Sequence, residues 1–81
     1  MTLYHCNVTY AGINKDGVVI IDLYEWNGQF STPTRFLAPE NVKKEMLAIA
    51  LVAFTTGTLV QADIDNIADW DLINCLALEQ G

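Results

Sequence analysis

The stretch Glu40–Gly57, ENVKKEMLAIALVAFTTG, decides the fold because it is the only segment with the length and composition of a multi-turn helix. We predict a helix over about residues 40–56, closed by Gly57 as a left-handed cap. From Met46 to Phe54 no side chain is polar. Helical spacing sorts the apolar residues into two stripes, the first with Val42, Met46, Ile49, Ala50 and Ala53 and the second with Leu47, Leu51 and Phe54.

A helix that only covers a sheet needs one apolar stripe, so the second stripe needs a partner of its own. The chain has 81 residues, which is one domain over residues 1–81 and near the size where stability is marginal. The apolar fraction of 52% favours a packed structure over disorder. We therefore predict that Leu47, Leu51 and Phe54 form the interface of a homo-oligomer.

The charge balance excludes several classes of partner. Four Lys and Arg residues stand against ten Asp and Glu, a net charge of -6. Nucleic-acid affinity depends on clustered cations that neutralise phosphates, so we expect no nucleic-acid binding. No apolar run reaches the ~20 residues that a membrane helix needs, and no basic and apolar leader is visible. We expect a soluble protein without membrane insertion, either cytoplasmic or already trimmed, and the compartment stays open.

Alternating apolar residues and turn signals predict five strands, at about residues 2–11, 17–26, 29–37, 58–65 and 72–78. In the first strand Tyr4, Cys6, Val8 and Tyr10 share one predicted face. Turns are expected at Asp16-Gly17 and at Asn27-Gly28, where a two-residue primed turn suits the sequence. In the fourth strand Val60, Ala62 and Ile64 are expected inward and Gln61, Asp63 and Asp65 outward.

The element order is β-β-β-α-β-β, which predicts a mainly β domain with one central helix. With the helix between the third and fourth strands, this order is that of a small five-stranded barrel of the OB type. An open sheet with one packed helix has the same order and is the alternative. We favour the barrel.

The two cysteines, Cys6 and Cys75, lie near the two ends of the chain and leave two interpretations open. If they pair, the disulfide closes a long loop and adds about 4 kcal/mol on the chain-entropy model. Otherwise they are two small apolar side chains.

Neither a catalytic centre nor a metal site is predicted. His5 is the only histidine, and no nucleophile and orienting acid can be matched with it, so we predict no enzyme activity and no cofactor. The segment 63–71, DIDNIADWD, offers oxygen atoms of the kind that calcium binds. It lacks the glycine and the terminal glutamate of an EF-hand, and we prefer a solvated acidic loop.

Aromatic and amide side chains supply the candidate ligand contacts. Tyr24, Trp26 and Asn27 lie at the tip of the second predicted hairpin, and Trp70 lies in the last loop. An aromatic ring covers the apolar C–H face of a sugar while polar neighbours bind its hydroxyls. The same residues also suit a subunit interface or a core. Among them Trp26 is the preferred ligand contact because it lies next to a tight turn.

Three segments, 42–57, 59–64 and 70–78, together resemble the second half of the pentameric B subunits of bacterial AB-type toxins, and small uncharacterised bacterial OB-fold proteins of the same build. The shared pattern is a long helix ending in Thr56-Gly57, a strand with Val60 soon after the glycine, and a loop containing Trp70 before a closing strand. The resemblance implies an OB-type barrel in a ring, with helices around the axis and cell-surface glycans bound by outer strands and loops. It also implies a secreted protein.

The sequence therefore predicts a non-enzymatic binding subunit that acts as a homo-oligomeric ring, a pentamer being favoured, with a glycan or a protein as partner. The alternative is a structural or interaction oligomer that binds no small molecule.

Overall fold

The computed structural model describes residues 3–28, 30 and 32–79. It contains a single-turn 3-10 helix at Glu40–Val42, the helix α1 (Lys43–Thr56), and six strands: β1 (Leu3–Ile13), β2 (Val19–Glu25), β3 (Thr34–Leu37), β4 (Val60–Asp63), β5 (Asp71–Leu72) and β6 (Cys75–Leu78). Two predicted strands include residues 2, 29 and 31, which lie outside the described part. The prediction of a mainly β domain with one helix is confirmed.

The strands form one curled, barrel-like sheet in the order β5-β3-β2-β1-β4-β6. The neighbours pair antiparallel except β3 and β5, which are parallel. Although β5 and β6 lie at opposite edges of the sheet, only two residues separate them along the chain. Of these two, Ile73 donates its N–H to Leu37 O (3.0 Å) and Asn74 donates to Asp63 O (2.8 Å). Two consecutive residues thus form hydrogen bonds to β3 and to β4, and this brings the β5 edge of the sheet close to the β6 edge.

The same crossing corrects the predicted fifth strand, 72–78, which is two short strands. β5 pairs with β3, whereas β6 pairs with β4. The segment therefore changes its partner strand between Leu72 and Cys75, and Ile73 and Asn74 belong to neither short strand. The predicted third strand is also shorter than expected and begins at Thr34, just after Pro33, which has no N–H to donate to a ladder.

The core lies between the sheet and α1. Met46, Ala50 and Ala53 are buried on the helix, and Val42 and Ile49 pack partly buried against the core, so the first predicted stripe is confirmed. On the sheet side the largest buried side chains include Ile21, Leu23, Phe30, Phe36 and Val60. The helix ends as predicted at Gly57, whose φ of 72° is left-handed and whose N–H donates to Ala53 O.

Three local predictions need correction. Tyr10 is exposed because a bulge between Val8 and Tyr10 moves it to the face opposite Val8. Asp63, expected to face solvent, is only 8% exposed. The second turn is centred one residue earlier than predicted: Gly28 donates to Glu25 O (3.2 Å), and of the turn residues only Gly28 has a positive φ.

Candidate ligand-binding site

Trp70 ends the loop between β4 and β5 in an unusual backbone conformation. Its φ is 71°, and among the described residues it is the only non-glycine with a positive φ. The loop is fixed to the start of β3 by two hydrogen bonds. The backbone N–H of Trp70 donates to Arg35 O (2.7 Å), and the backbone N–H of Arg35 donates to Asp69 Oδ1 (3.1 Å). The indole is nevertheless 57% exposed, so a rigid backbone presents an aromatic surface to solvent.

The Arg35 side chain packs beside this indole on the sheet face opposite the core. Its Nε and Nη2 donate to the two carboxylate oxygens of Asp22 at 2.8 and 3.0 Å. The guanidinium carbon lies 5.2 Å from the Tyr10 ring centroid and 5.8 Å from that of Trp70. The hydrogen bonds and the negative charge of Asp22 raise the pKa of the Arg35 guanidinium. The cation is therefore paired with a carboxylate and lies against two rings.

Two open cavities meet at Trp70. The larger has a volume of about 400 Å³ and is lined by Asp65, Asn66, Trp70, Asp71, Leu72 and Asn74. The smaller, about 270 Å³, is lined by Asp22, Pro33, Arg35, Asp69 and Trp70. Ligand pockets in proteins are typically ~300–1,000 Å³. Each cavity is thus near the lower end of that range, and each combines the aromatic ring with polar side chains.

The other predicted ligand contacts lie elsewhere on the sheet. Trp26 is 64% exposed at the tip of the second hairpin, and its backbone N–H donates to His5 O (2.8 Å). Asn27 beside it is exposed, and Tyr24 is half-buried and packs against the core. None of these three residues lines either cavity at Trp70. The structure therefore does not bring them together with Trp70, and their role stays a prediction.

The second helix stripe divides between core and solvent. Leu47 is half-buried and packs against the core, whereas Leu51 is 44% and Phe54 is 53% exposed. Val52 joins them at 47% exposure. The sequence reasoning missed Val52 because it lies between the two stripes. The large apolar side chains that the helix exposes are thus Leu51, Val52 and Phe54, and we call this exposed helix surface the helix strip.

The disulfide is not formed, since Cys6 and Cys75 are both free thiols. They lie on β1 and β6, and β4 runs between these strands. Two strand spacings amount to about 10 Å, beyond the ~7 Å that a disulfide spans between Cα atoms. Cys6 is buried, which with the charge of Glu25 raises its pKa to about 12, while Cys75 is exposed. Only one of the two is therefore a buried apolar side chain.

The groups that sequence reasoning tested for catalysis and metal binding have structural partners. His5 Nδ1 lies 2.8 Å from Glu79 Oε2, which connects the first and last strand regions. In the acidic loop Asn66 donates Nδ2–H to Asp71 Oδ2 (3.0 Å). Within the described residues no three His, Cys, Asp or Glu side chains are grouped to hold a metal ion, and no helix has the length and apolarity to cross a membrane.

Trp70 was predicted from the sequence as a ligand contact, whereas Tyr10, Asp22, Arg35 and Asp69 around it were not. Asp22 and Arg35 are 13 residues apart, and Arg35 and Asp69 are 34 apart, so no local spacing connects them. The pairing of β2 with β3, which sets Asp22 opposite Arg35, was the one available signal. A scan against protein-family models and searches of curated proteins and of solved structures found no significant match.

Proposed function

We propose that this chain is a non-enzymatic binding subunit and that it binds a sugar at Trp70. The observation that carries the proposal is an exposed tryptophan that has a left-handed backbone conformation and lines two open cavities together with polar side chains. A flat aromatic ring suits the C–H face of a sugar, and carboxylate and amide oxygens accept hydrogen bonds from its hydroxyls. Non-glycine residues in strained backbone regions cluster at binding sites, which favours Trp70 over an ordinary surface tryptophan.

The proposal extends to the architecture. If β5 and β6 are one strand interrupted at Ile73–Asn74, the sheet order becomes that of a closed five-stranded OB-type barrel with α1 between the third and fourth strands. The outer surface of such barrels is a common place for oligosaccharide sites. This order supports the resemblance to toxin B subunits and, with it, a homo-oligomeric ring, for which five copies is the favoured number.

A glycan array followed by calorimetric titration tests the sugar proposal. Wild-type protein should retain at least one class of glycan, and Trp70→Ala should lose that binding. Trp26→Ala is the matched control, because it removes an equally exposed indole that lines neither cavity. Circular dichroism confirms that both variants are folded. Loss of binding in Trp26→Ala alone would move the site to the second hairpin, and a wild-type protein that binds no glycan would refute the proposal.

A second candidate function is an interaction oligomer without a small-molecule ligand, and the helix strip favours it. Leu51, Val52 and Phe54 are each about half exposed, and the sequence has no charged residue from Met46 to Ala62. Contiguous exposed apolar surface marks interaction sites in soluble proteins. The helix strip would also form the subunit interface of the sugar-binding ring. Both candidate functions therefore involve assembly, and only ligand binding distinguishes them.

Light scattering after size exclusion, at two protein concentrations, tests the assembly. We expect a mass of several subunits, with five favoured. Leu51→Asp should dissociate the assembly because it places an unpaired charge in a dry contact. Asn41→Asp introduces the same charge at an exposed position outside the helix strip and should leave the mass unchanged. A wild-type monomer at both concentrations would refute the ring.

A further inference from the structure

The charges around Trp70 restrict which sugars can bind there. The larger cavity contains two carboxylates, Asp65 and Asp71, and two amides, Asn66 and Asn74, and none of the described residues that line it is cationic. Asn66 donates to one oxygen of Asp71, which orients that carboxylate. An ionised carboxylate can only accept hydrogen bonds, so this cavity suits hydroxyl groups and disfavours a further negative charge.

The cation that lines the smaller cavity does not reverse this preference. Arg35 lines the smaller cavity together with two carboxylates, Asp22 and Asp69. Its Nε and Nη2 atoms donate to Asp22, and its guanidinium lies against Tyr10 and Trp70. Asp22 already pairs with this cation, so an acidic ligand that bound the remaining N–H donors of Arg35 would also meet the carboxylates of Asp22 and Asp69. Counted as formal charges, the smaller lining is therefore also negative.

Arg35 also indicates from which side a ligand reaches the indole. The guanidinium lies over the Trp70 ring, and Arg35 lines the smaller cavity but not the larger one. A sugar ring would compete with Arg35 on the smaller side. On the larger side it meets the indole next to Asp65, Asp71 and Asn74, whose oxygens can accept from its hydroxyls.

We infer that the ligand of Trp70 is a sugar without an acidic group, stacked on the indole from the larger cavity. The inference rests on the proposed function and adds the chemical class of the ligand. Sialylated, sulfated and phosphorylated sugars bind more weakly than their neutral counterparts, by roughly tenfold for one unit charge about 3 Å from a carboxylate in water-exposed surroundings. The preference is electrostatic and decreases as salt screens the charges.

The test uses a glycan array that holds neutral oligosaccharides beside their sialylated forms, followed by titration of one such pair in 0.05 M and 1 M NaCl. We expect the neutral member to bind roughly tenfold more tightly in low salt and the ratio to shrink in high salt. Asp65→Asn should shrink the low-salt ratio as well. Asp16→Asn, in the exposed turn after β1, removes the same charge at a position that lines neither cavity and should leave the ratio unchanged.

The outcomes separate the inference from the function on which it rests. Equal or tighter binding of the sialylated member overturns the inference and leaves sugar binding at Trp70 standing. An equal effect of Asp16→Asn and Asp65→Asn overturns the role of the cavity carboxylates and assigns the preference to the net charge of the protein. If wild-type protein retains neither member of any pair, both the inference and the proposed function are wrong.

Discussion

Replacing Trp70 by glycine should give a more stable protein than replacing it by alanine, which reverses the usual order of these two residues. Trp70 has a φ of 71°. An L-residue in that region costs about 1–2 kcal/mol, and alanine retains the cost whereas glycine does not. Glycine in turn loses about 0.4–1 kcal/mol through its freer unfolded chain. The difference leaves Trp70→Gly more stable than Trp70→Ala by about 0.5–1 kcal/mol.

Trp26 supplies the matched control for this comparison. Its indole is similarly exposed, at 64% against 57% for Trp70, but its φ is not positive. At this position glycine brings only its entropic penalty. Trp26→Gly should therefore be less stable than Trp26→Ala by about 0.4–1 kcal/mol. Within each pair the lost indole contacts cancel, so the opposite signs report backbone strain alone.

Urea denaturation of the four variants, followed by circular dichroism at one protein concentration, measures these differences. A fixed concentration is needed because self-association would stabilise the folded state. For a domain of this size, 1 kcal/mol also shifts the melting temperature by about 4–8 °C, which provides a second readout. If Trp70→Gly is no more stable than Trp70→Ala, the backbone at position 70 is unstrained. Backbone strain would then no longer favour Trp70 as a binding site.

Three further predictions concern the core and the cysteines. Phe36→Ala should lower the free energy of unfolding by about 3–5 kcal/mol, because Phe36 is fully buried beside Phe30, and a loss below about 1 kcal/mol in urea denaturation would contradict this packing. In the native protein at pH 8, iodoacetamide should modify Cys75, which is exposed, and spare Cys6, as mass spectrometry can check; rapid modification of Cys6 would contradict its burial. The pKa of Cys6 is raised from 9.0 to about 12, so the unfolded chain loses the thiol proton at lower pH than the folded protein does. The free energy of unfolding is therefore unaffected below about pH 9 and falls between about pH 9 and 12, by up to about 1.4 kcal/mol per pH unit. Denaturation of Cys6→Ala at several pH values should lack this part of the slope.

The sequence predicted the elements that depend on local pattern. The helix, its end at Gly57 and its buried face follow from apolar spacing and from the one residue that suits a left-handed cap. Val60, Ala62 and Ile64 are buried as their alternation predicted. These features require no knowledge of which strands pair.

Features that depend on pairing across the sheet could not be predicted in the same way. Tyr10 follows the alternation of its strand, and only the bulge in the pairing with β2 turns it outward beside Arg35. The division of the predicted fifth strand reflects the pairing of β5 with β3 and of β6 with β4. Trp70 was identified by residue type, but its positive φ was not predictable, because that conformation is disfavoured for a bulky residue. The site therefore depends on tertiary contacts that local sequence patterns do not report.

Sugar binding at Trp70 and assembly through the helix strip are proposed for different faces of the sheet. Asp22 and Arg35 are flanked in sequence by Ile21 and Phe36, which are buried in the core on the side of α1. Since neighbouring strand residues point to opposite faces, the Trp70 site and the helix strip lie on different sides of the sheet. Leu51→Asp should then abolish assembly and leave the affinity of a single site for soluble sugar unchanged. It should nevertheless weaken binding to a surface that displays many copies of the sugar, because a ring gains avidity by engaging several sites at once. Equal loss on soluble and surface-displayed sugar would mean that the site needs a neighbouring subunit, and the two activities would not be separable.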